Sequence, residues 1–475
     1  MFGAYIIIGL AACALLKTLY YRIFCSPLTS LPGPKFTILS SSWLIYKEFT
    51  GQRRKWLHQL HLQYGPIVRI SPDEVSFASW DALKEIYITG GTGYDKTSFY
   101  DLFSNLGTRN MFSTLDRSTH ADLKKRFVDK YNKSSIMQPN LVSVFRDRAE
   151  EFMAKCTEND SADIYIYLHC YSMDCGSHLL FYPYGIHSLT DPSDMPKVVE
   201  LTFHDTLKSH YLQYYFPELM ALKARIFKRT DRQYGPVALH VLNLVRTGTE
   251  TDSSTVLHKL KTHKDSLDEL YIASECMDHL VAAIDTTGDT LCILIHHLSL
   301  PTSYPIQQKL HEELVKSSPG DFDDLPYLDA VIKEALRCFG PSPMSLPRRV
   351  PSGGRTISGV FIPENTIVSC QSYTLHRLDT EVFPNPDEFL PERWLQSEGS
   401  TARNQLLFAF GAGGRMCIGK HLAMAEMKIL LQEVYTSYRT KIAKNMTASM
   451  ELVDQAIVAR PAGQKCLITF EKYSN

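Results

Sequence analysis

The run Phe410-Gly411-Ala412-Gly413-Gly414-Arg415-Met416-Cys417-Ile418-Gly419 sets one cysteine in a glycine-dense loop, directly before a helix-compatible stretch from Lys420. Glycines let backbone fold tightly round a single atom, and the N–H groups and dipole of a helix N-terminus favour a thiolate there. Such a thiolate is a nucleophile or a metal ligand. Nucleophilic work asks for a histidine in a recognisable Cys/His context, but His421 falls on the following helix and no protease-like signature surrounds it. A dinucleotide fingerprint also fails, because the third glycine of G-x-G-x-x-G is missing and no βαβ pattern precedes it. On this residue alone, a buried cysteine in an ordinary loop stays open.

Three other sets of residues have spacings that chemistry uses. Glu334 and Arg337 stand at i,i+3 on one helix face. Alone they read as a surface ion pair worth ~0–1 kcal/mol. Asp285-Thr286 puts an acid beside an alcohol inside a long helical pattern. Thr286 can hydrogen-bond its own helix backbone and loosen a turn, and Asp285 is a proton source. Without context the pair is a solvated polar face. His120 and Lys124 lie one turn apart in a helix-like stretch that continues through Lys125-Arg126.

Helices must hold these groups. Ser266-Leu267-Asp268-Glu269 has the capping-box form, and no proline follows until Pro301, which predicts a helix of about 30 residues and about 45 Å. A second helix is predicted from Pro326, with Leu328, Val331, Ile332, Ala335, Leu336 and Phe339 on one apolar face, stopping at Gly340-Pro341. Thr356 to Leu375, rich in Ile, Val, Thr and Ser around Pro363-Glu364-Asn365, reads as a short β-hairpin. The class is mainly α with minor β.

The 475 residues include 44% hydrophobic and 21% charged side chains, which excludes disorder, collagen-like repeats and a polytopic membrane protein. With 50 Lys+Arg against 51 Asp+Glu there is no global footprint for nucleic acid. Eleven scattered cysteines without a C-x-x-C pair fit a reducing compartment. Phe2 to Leu16 carries no charge, and if Lys17 snorkels the apolar run reaches Phe24, about 20 residues, enough to span a bilayer. A secretory signal would need a basic segment ahead of that run. Residues 1–24 are therefore expected to be a single-pass anchor, and the positive charges after it put the remaining chain on the cytosolic side. Asn132, Asn159 and Asn445 then stay unglycosylated despite their sequons. Leu31-Pro32-Gly33-Pro34 reads as a stiff hinge at 31–34, and residues 25–475 as one large domain.

The loop spells F-x-x-G-x-R-x-C-x-G and so resembles the haem-binding signature of the cytochrome P-450 superfamily; the E-x-x-R set, the [AG]-G-x-[DE]-T-[TS]-like Ala282-Ala283-Ile284-Asp285-Thr286-Thr287 and the His120/Lys124 pair follow in the expected order. The resemblance implies a triangular helical prism with small sheets, holding haem b with Cys417 as axial ligand. It places Phe410 beside the sulfur and Arg415, His120, Lys124 and Arg348 at the haem carboxylates. Lys124 stands where the family has arginine, so a bidentate fork is lost. His376 reads equally as another carboxylate partner or a satisfied core histidine. Ala283 replaces a commoner glycine and is expected to tighten the groove above the haem. Pro391-Glu392-Arg393-Trp394 is similar to the family's P-E-R-F segment, whose arginine closes a buried network, so the resemblance gives Glu334, Arg337 and Arg393 a structural role.

A thiolate ligand favours O–O cleavage, and Asp285 with Thr286 are the implied proton-delivery pair. The resemblance implies a monooxygenase that puts one atom of O2 into a lipophilic small molecule by hydroxylation, epoxidation or multi-step oxidation. It looks most like anchored fungal members of secondary metabolism. The chain has no flavin or nicotinamide fingerprint, so electrons are expected from a separate membrane-bound NADPH–cytochrome P-450 reductase, with cytochrome b5 as a second donor, at a patch of Lys124, Lys125, Arg126, Lys420 and Lys428. The expected setting is the endoplasmic reticulum membrane, as a monomer that binds no nucleic acid. The alternatives are a reductase-independent haem-thiolate isomerase, dehydratase or peroxygenase, which generally lacks the acid–alcohol pair, and a non-catalytic haem-binding protein. Specificity is expected around Tyr94 to Phe112, Phe181 to Phe216, Ala282, Met344 and Leu346.

Overall fold

The computed structural model describes residues 2–89, 93–203, 206–226, 234–248 and 250–473. Its centre is a helix over Glu269–Leu298, 30 residues long. Asp268 caps it by accepting from the N–H groups of Leu270 and Tyr271, so the cap lies two residues later than the Ser266 capping box predicts. Ser266 has φ of 46° and sits outside the helix. Leu280, Ile284, Leu291, Leu294 and Leu298 of this helix share one core with Leu168, Tyr171 and Cys175 of the helix Ile164–Phe181 and Leu430, Leu431 and Val434 of the helix Lys420–Ser437. Burial of these side chains, at about 1.5–3 kcal/mol each, fixes the three helices against one another.

The helix Pro326–Phe339 starts on its N1 proline and ends before Gly340, as its pattern predicts. A five-stranded sheet lies over a second core that includes Phe77, Val368, Ile357 and Phe408. Its order is Ile67–Ser71, Glu74–Phe77, Ile367–Cys370, Arg348–Arg349 and Asp95–Lys96, antiparallel except where Glu74–Phe77 runs parallel to Ile367–Cys370. The expected hairpin shifts. Arg355–Ile357 pairs with Val360–Ile362, and the chain turns at Ser358-Gly359, both with positive φ, a two-residue turn that matches strand twist. Pro363-Glu364-Asn365 instead leads into Ile367–Cys370 of the large sheet.

Phe2–Tyr20 is helical, and Tyr5, Ile6, Leu10, Leu15, Leu16 and Tyr20 are exposed on it. Met1 and the side chains of residues 2–4, 7 and 8 of the expected anchor lie outside the described residues. Among the described residues no helix is long and apolar enough to cross a membrane. The Pro-rich segment is pinned to the body: the Arg69 N–H donates to Pro32 O at 2.8 Å, and a Cβ on Gly33 would stand 2.4 Å from Arg69 O.

Candidate active site

Cys417 is held by a loop that only glycine backbone can form. The Cys417 N–H donates to Phe410 O at 2.9 Å, closing the turn. Gly413 has φ of 65°, and a Cβ there would stand 1.8 Å from Tyr87 O. The loop thus rests directly on the segment around Tyr87, whose hydroxyl donates to Leu346 O and accepts from the Cys370 N–H. Phe410 and Ile418 pack against the same core as the long helix.

Cys417 is exposed, and so is Ala282, which lies between the buried stretches 272–277 and 287–295 of the long helix. Both therefore open onto accessible space inside the molecule. Enclosure pushes the Cys417 thiol above its ordinary pKa, while the Gly419 N–H, Lys124 and Lys420 pull it down. Enclosure thus outweighs the helix N-terminus and the two lysines, against the expectation of a thiolate there.

Around this space the cations outnumber their partners. Lys96 and Arg348 stand directly opposite each other across the edge of the large sheet, an arrangement that repels. Arg415 donates to Thr114 O and Leu115 O, both at 2.6 Å, and its Nε is buried without a hydrogen-bond partner. Arg348 donates to Tyr100 Oη at 2.9 Å and Pro347 O at 2.9 Å. Lys96 Nζ donates to Phe112 O and lies 4.1 Å and 4.0 Å from the ring centres of Tyr100 and Phe112. Burial first, then Arg348 and Arg415, hold the Lys96 ammonium well below its ordinary pKa. Burial, then Arg348, brings Arg415 down to about 10. Burial, then Arg415, Lys96, Lys124 and Arg348, brings the buried His120 to about 2, so it is neutral.

Lys124 departs from the expectation that it joins this rim. Its Nζ donates to Gly414 O at 3.1 Å and Met416 O at 3.3 Å, underneath the cysteine loop. Lys96 instead stands opposite Arg348 and near Arg415, and sequence reasoning did not single it out. The one signal was a lysine set between Tyr94 and Phe99-Tyr100 in an aromatic stretch. Lys428 leaves the expected docking patch as well, being buried with Asp323 at 3.1 Å and Asp329 at 3.2 Å. His376 is a core histidine: Nδ1 meets Arg337 O at 3.0 Å and Nε2 accepts the Phe408 N–H at 2.9 Å.

On the long helix, Thr286 Oγ1 donates to Ala282 O at 2.7 Å, yet the helix stays continuous through this turn. Asp285 is half-buried, and burial pushes its carboxyl up to about 7 against the pull of Arg460. Ala283 does not tighten the groove. It faces the helix Ile164–Phe181, where a Cβ on Gly176 would stand 2.9 Å from its own, and Ala282 is the residue presented to the cavity. Glu334 is fully buried and accepts from Arg337 at 2.8 and 2.9 Å, from Arg393 at 3.0 Å, and from the Leu390 N–H and Trp394 Nε1 at 2.9 Å each.

A glycine cradle under a sulfur, facing a rim of buried cations with an orphaned guanidinium nitrogen, fits a planar metal complex that carries two carboxylates. The family model described as cytochrome P450 matches residues 31–467. The chain is 28% identical over 494 aligned positions to cytochrome P450 monooxygenase orf2 of Aspergillus niger, across 98% of both chains. It is also 28% identical over 470 positions to cytochrome P450 monooxygenase stcB of Emericella nidulans, across 94% of this chain and 89% of that one. With aflV of Aspergillus parasiticus, another cytochrome P450 monooxygenase, the identity is 27% over 482 positions, across 96% and 92%. A match of that extent on a mainly helical single domain makes this chain a member of the cytochrome P450 family, the haem-thiolate monooxygenases.

Proposed function

We propose that Cys417 Sγ ligates the iron of haem b, that Arg415, Arg348, His120 and Lys96 meet its two carboxylates, and that Asp285 and Thr286 deliver protons over its other face. The observation that carries this reading is the cation-rich rim of Lys96, Arg348 and Arg415 with the buried, orphaned Arg415 Nε. When bound, the haem supplies activation of O2 and insertion of one atom into the substrate. The chain's own groups do the rest. Phe410, which packs against the main core, would cover one side of the sulfur, and the Gly419 N–H and Lys124 moderate its charge. Thr286 spends its hydrogen on Ala282 O, so its oxygen lone pairs are left to accept. Asp285, poised near neutral pH, holds the proton that Thr286 relays. The intact acid–alcohol pair favours the oxygenase over the reductase-independent and non-catalytic alternatives.

The substrate class is a lipophilic small molecule of fungal secondary metabolism, with electrons from a separate NADPH reductase and from cytochrome b5. Residues 1–24 anchor the domain 25–475 to the endoplasmic reticulum membrane. Exposed Phe36, Leu39, Trp43 and Tyr46 support this, as do Phe216, Leu219, Leu222 and Ile226 across the Tyr215–Glu48 hydrogen bond. The test is the reduced carbon monoxide complex. Wild type is expected to show the red-shifted Soret band of thiolate ligation, and Cys417→Ala to lose it; a band retained in that variant overturns the assignment.

A further inference from the structure

Two groups behind Asp285 take no part in the site described so far. Asp289 lies one turn further along the long helix, and His169 faces both carboxyl groups from the helix Ile164–Phe181. His169 Nε2 is 3.7 Å from Asp289 Oδ1 and 4.0 Å from Asp285 Oδ1. Gly288 makes room for the ring, since a Cβ there would stand 3.1 Å from His169 Cγ. His169 Nδ1 lies 2.7 Å from Tyr165 O. A carbonyl only accepts, so Nδ1 carries the hydrogen and the basic nitrogen of the neutral ring is Nε2, aimed at the two acids.

The surroundings favour stored protons. Burial raises the Asp289 carboxyl well above the ordinary range, and the neighbouring Asp285 raises it further. The other titratable and charged groups facing this cluster are the Tyr165 hydroxyl, the buried Cys292 thiol and Arg460 of the strand Ala459–Pro461. Tyr165 Oη accepts from Gln464 Nε2 at 3.3 Å. Gln464 and Arg460 are half-buried, so both are partly accessible to water.

We propose that His169 and Asp289 form a proton reservoir that recharges Asp285 during turnover, supplied from solvent past Tyr165 along the Arg460–Gln464 edge. This rests on the reading of Asp285 and Thr286 as the proton-delivery pair. One proton moves in each step and no electron does. Asp285 releases its carboxyl proton toward Thr286, His169 Nε2 takes a proton from Asp289 and hands it to Asp285, and solvent reprotonates Asp289. Both separations exceed a direct hydrogen bond, so each transfer uses a small side-chain rotation or one bridging water.

The experiment uses the haem-loaded full chain with an NADPH–cytochrome P450 reductase, with NADPH as the electron donor and O2 as the only electron acceptor, without an organic substrate. NADPH oxidation, the share of electrons released as hydrogen peroxide and the H2O/D2O rate ratio are measured from pH 6 to 9. His169→Gln can still donate to Tyr165 O but cannot carry a proton. It and Asp289→Asn are expected to slow NADPH oxidation about tenfold, raise the isotope effect and move the pH profile, whereas Asp289→Glu restores all three. The protonated-carboxyl infrared band of Asp285 in the resting ferric protein, identified by its loss in Asp285→Asn, is expected to shift its midpoint in Asp289→Asn. If Asp285→Asn and Thr286→Ala alter the electron partition while His169→Gln and Asp289→Asn match wild type, the reservoir is overturned and the acid–alcohol pair stands. If Asp285→Asn and Thr286→Ala change nothing, the underlying reading falls first.

Discussion

The charge cluster at Glu334 and the one at Lys96, Arg348 and Arg415 are built in opposite ways. At Glu334 one carboxylate receives two arginines, a backbone N–H and an indole N–H, and Arg337 spends its remaining donors on His376 O, Pro386 O and Glu388 O. Charge and hydrogen bonds close within the chain. At Lys96, Arg348 and Arg415 the partners are carbonyls, a hydroxyl and ring faces, and one guanidinium nitrogen has nothing. Asp95, Asp116 and Asp278 act on these cations only through space, so the proposed haem carboxylates would complete this second cluster. The difference supports a structural role for the first cluster and the proposed ligand role for the second.

The largest effect should come from breaking the closed cluster. Glu334→Ala leaves two buried guanidinium groups unpaired, which costs about 3–5 kcal/mol. Against a typical total of about 5–15 kcal/mol, that is expected to remove most haem-loaded folded protein rather than only slow turnover. Expression yield and the carbon monoxide difference spectrum check it. A well-folded, haem-replete variant would put Glu334 outside the stabilising network.

The open cluster should respond with opposite signs in its two states. Lys96→Met removes one repelling cation and leaves an apolar chain against Tyr100 and Phe112, a favourable neighbour for sulfur. The haem-free protein is expected to unfold at a higher temperature than haem-free wild type. The haem-loaded variant loses a charge-assisted hydrogen bond of about 1.5–3 kcal/mol and should release haem to apomyoglobin about 10- to 100-fold faster. Glu334→Ala, by contrast, lowers stability in both states. If Lys96→Met also destabilised both, the two clusters would be the same kind of object.

The sequence made these clusters unequally legible. Cys417 and Arg415 are two residues apart, and Glu334 and Arg337 share a helix turn, so local spacing suffices to find them. Lys96 is 252 positions from Arg348 and meets it only because Asp95–Lys96 and Arg348–Arg349 are neighbouring strands, a register that no local pattern reveals. Lys124 shows the converse. The pattern puts it among the carboxylate partners, but its single ammonium turns to the loop carbonyls where an arginine's fork would span to a carboxylate. Ala283 was assigned to the groove by its place in a motif, whereas the helical register gives that face to Ala282, one turn before Thr286. The hairpin at Ser358-Gly359 was legible and overlooked, because Pro363-Glu364-Asn365 is the louder turn signal.

The smallest effect is a slope. Lys96 has its folded-state pKa depressed well below the ordinary 10.5, chiefly by burial and then by Arg348 and Arg415. The unfolded chain therefore binds more protons than the haem-free fold across the window between the depressed value and 10.5. The sign follows: the contribution of Lys96 to stability is fully present above about 10.5 and is lost as pH falls through its folded value. In haem-free protein, the stability difference between wild type and Lys96→Met should thus move in favour of wild type as pH rises from 7 to 10. Other lysines and tyrosines titrate in that range, but they do so in both proteins and cancel in the difference. With haem bound, the carboxylates hold Lys96 charged in the fold and the difference should become flat. Denaturant unfolding of the four species at three pH values reads this directly, and equal slopes with and without haem would mean that the haem carboxylates do not reach Lys96.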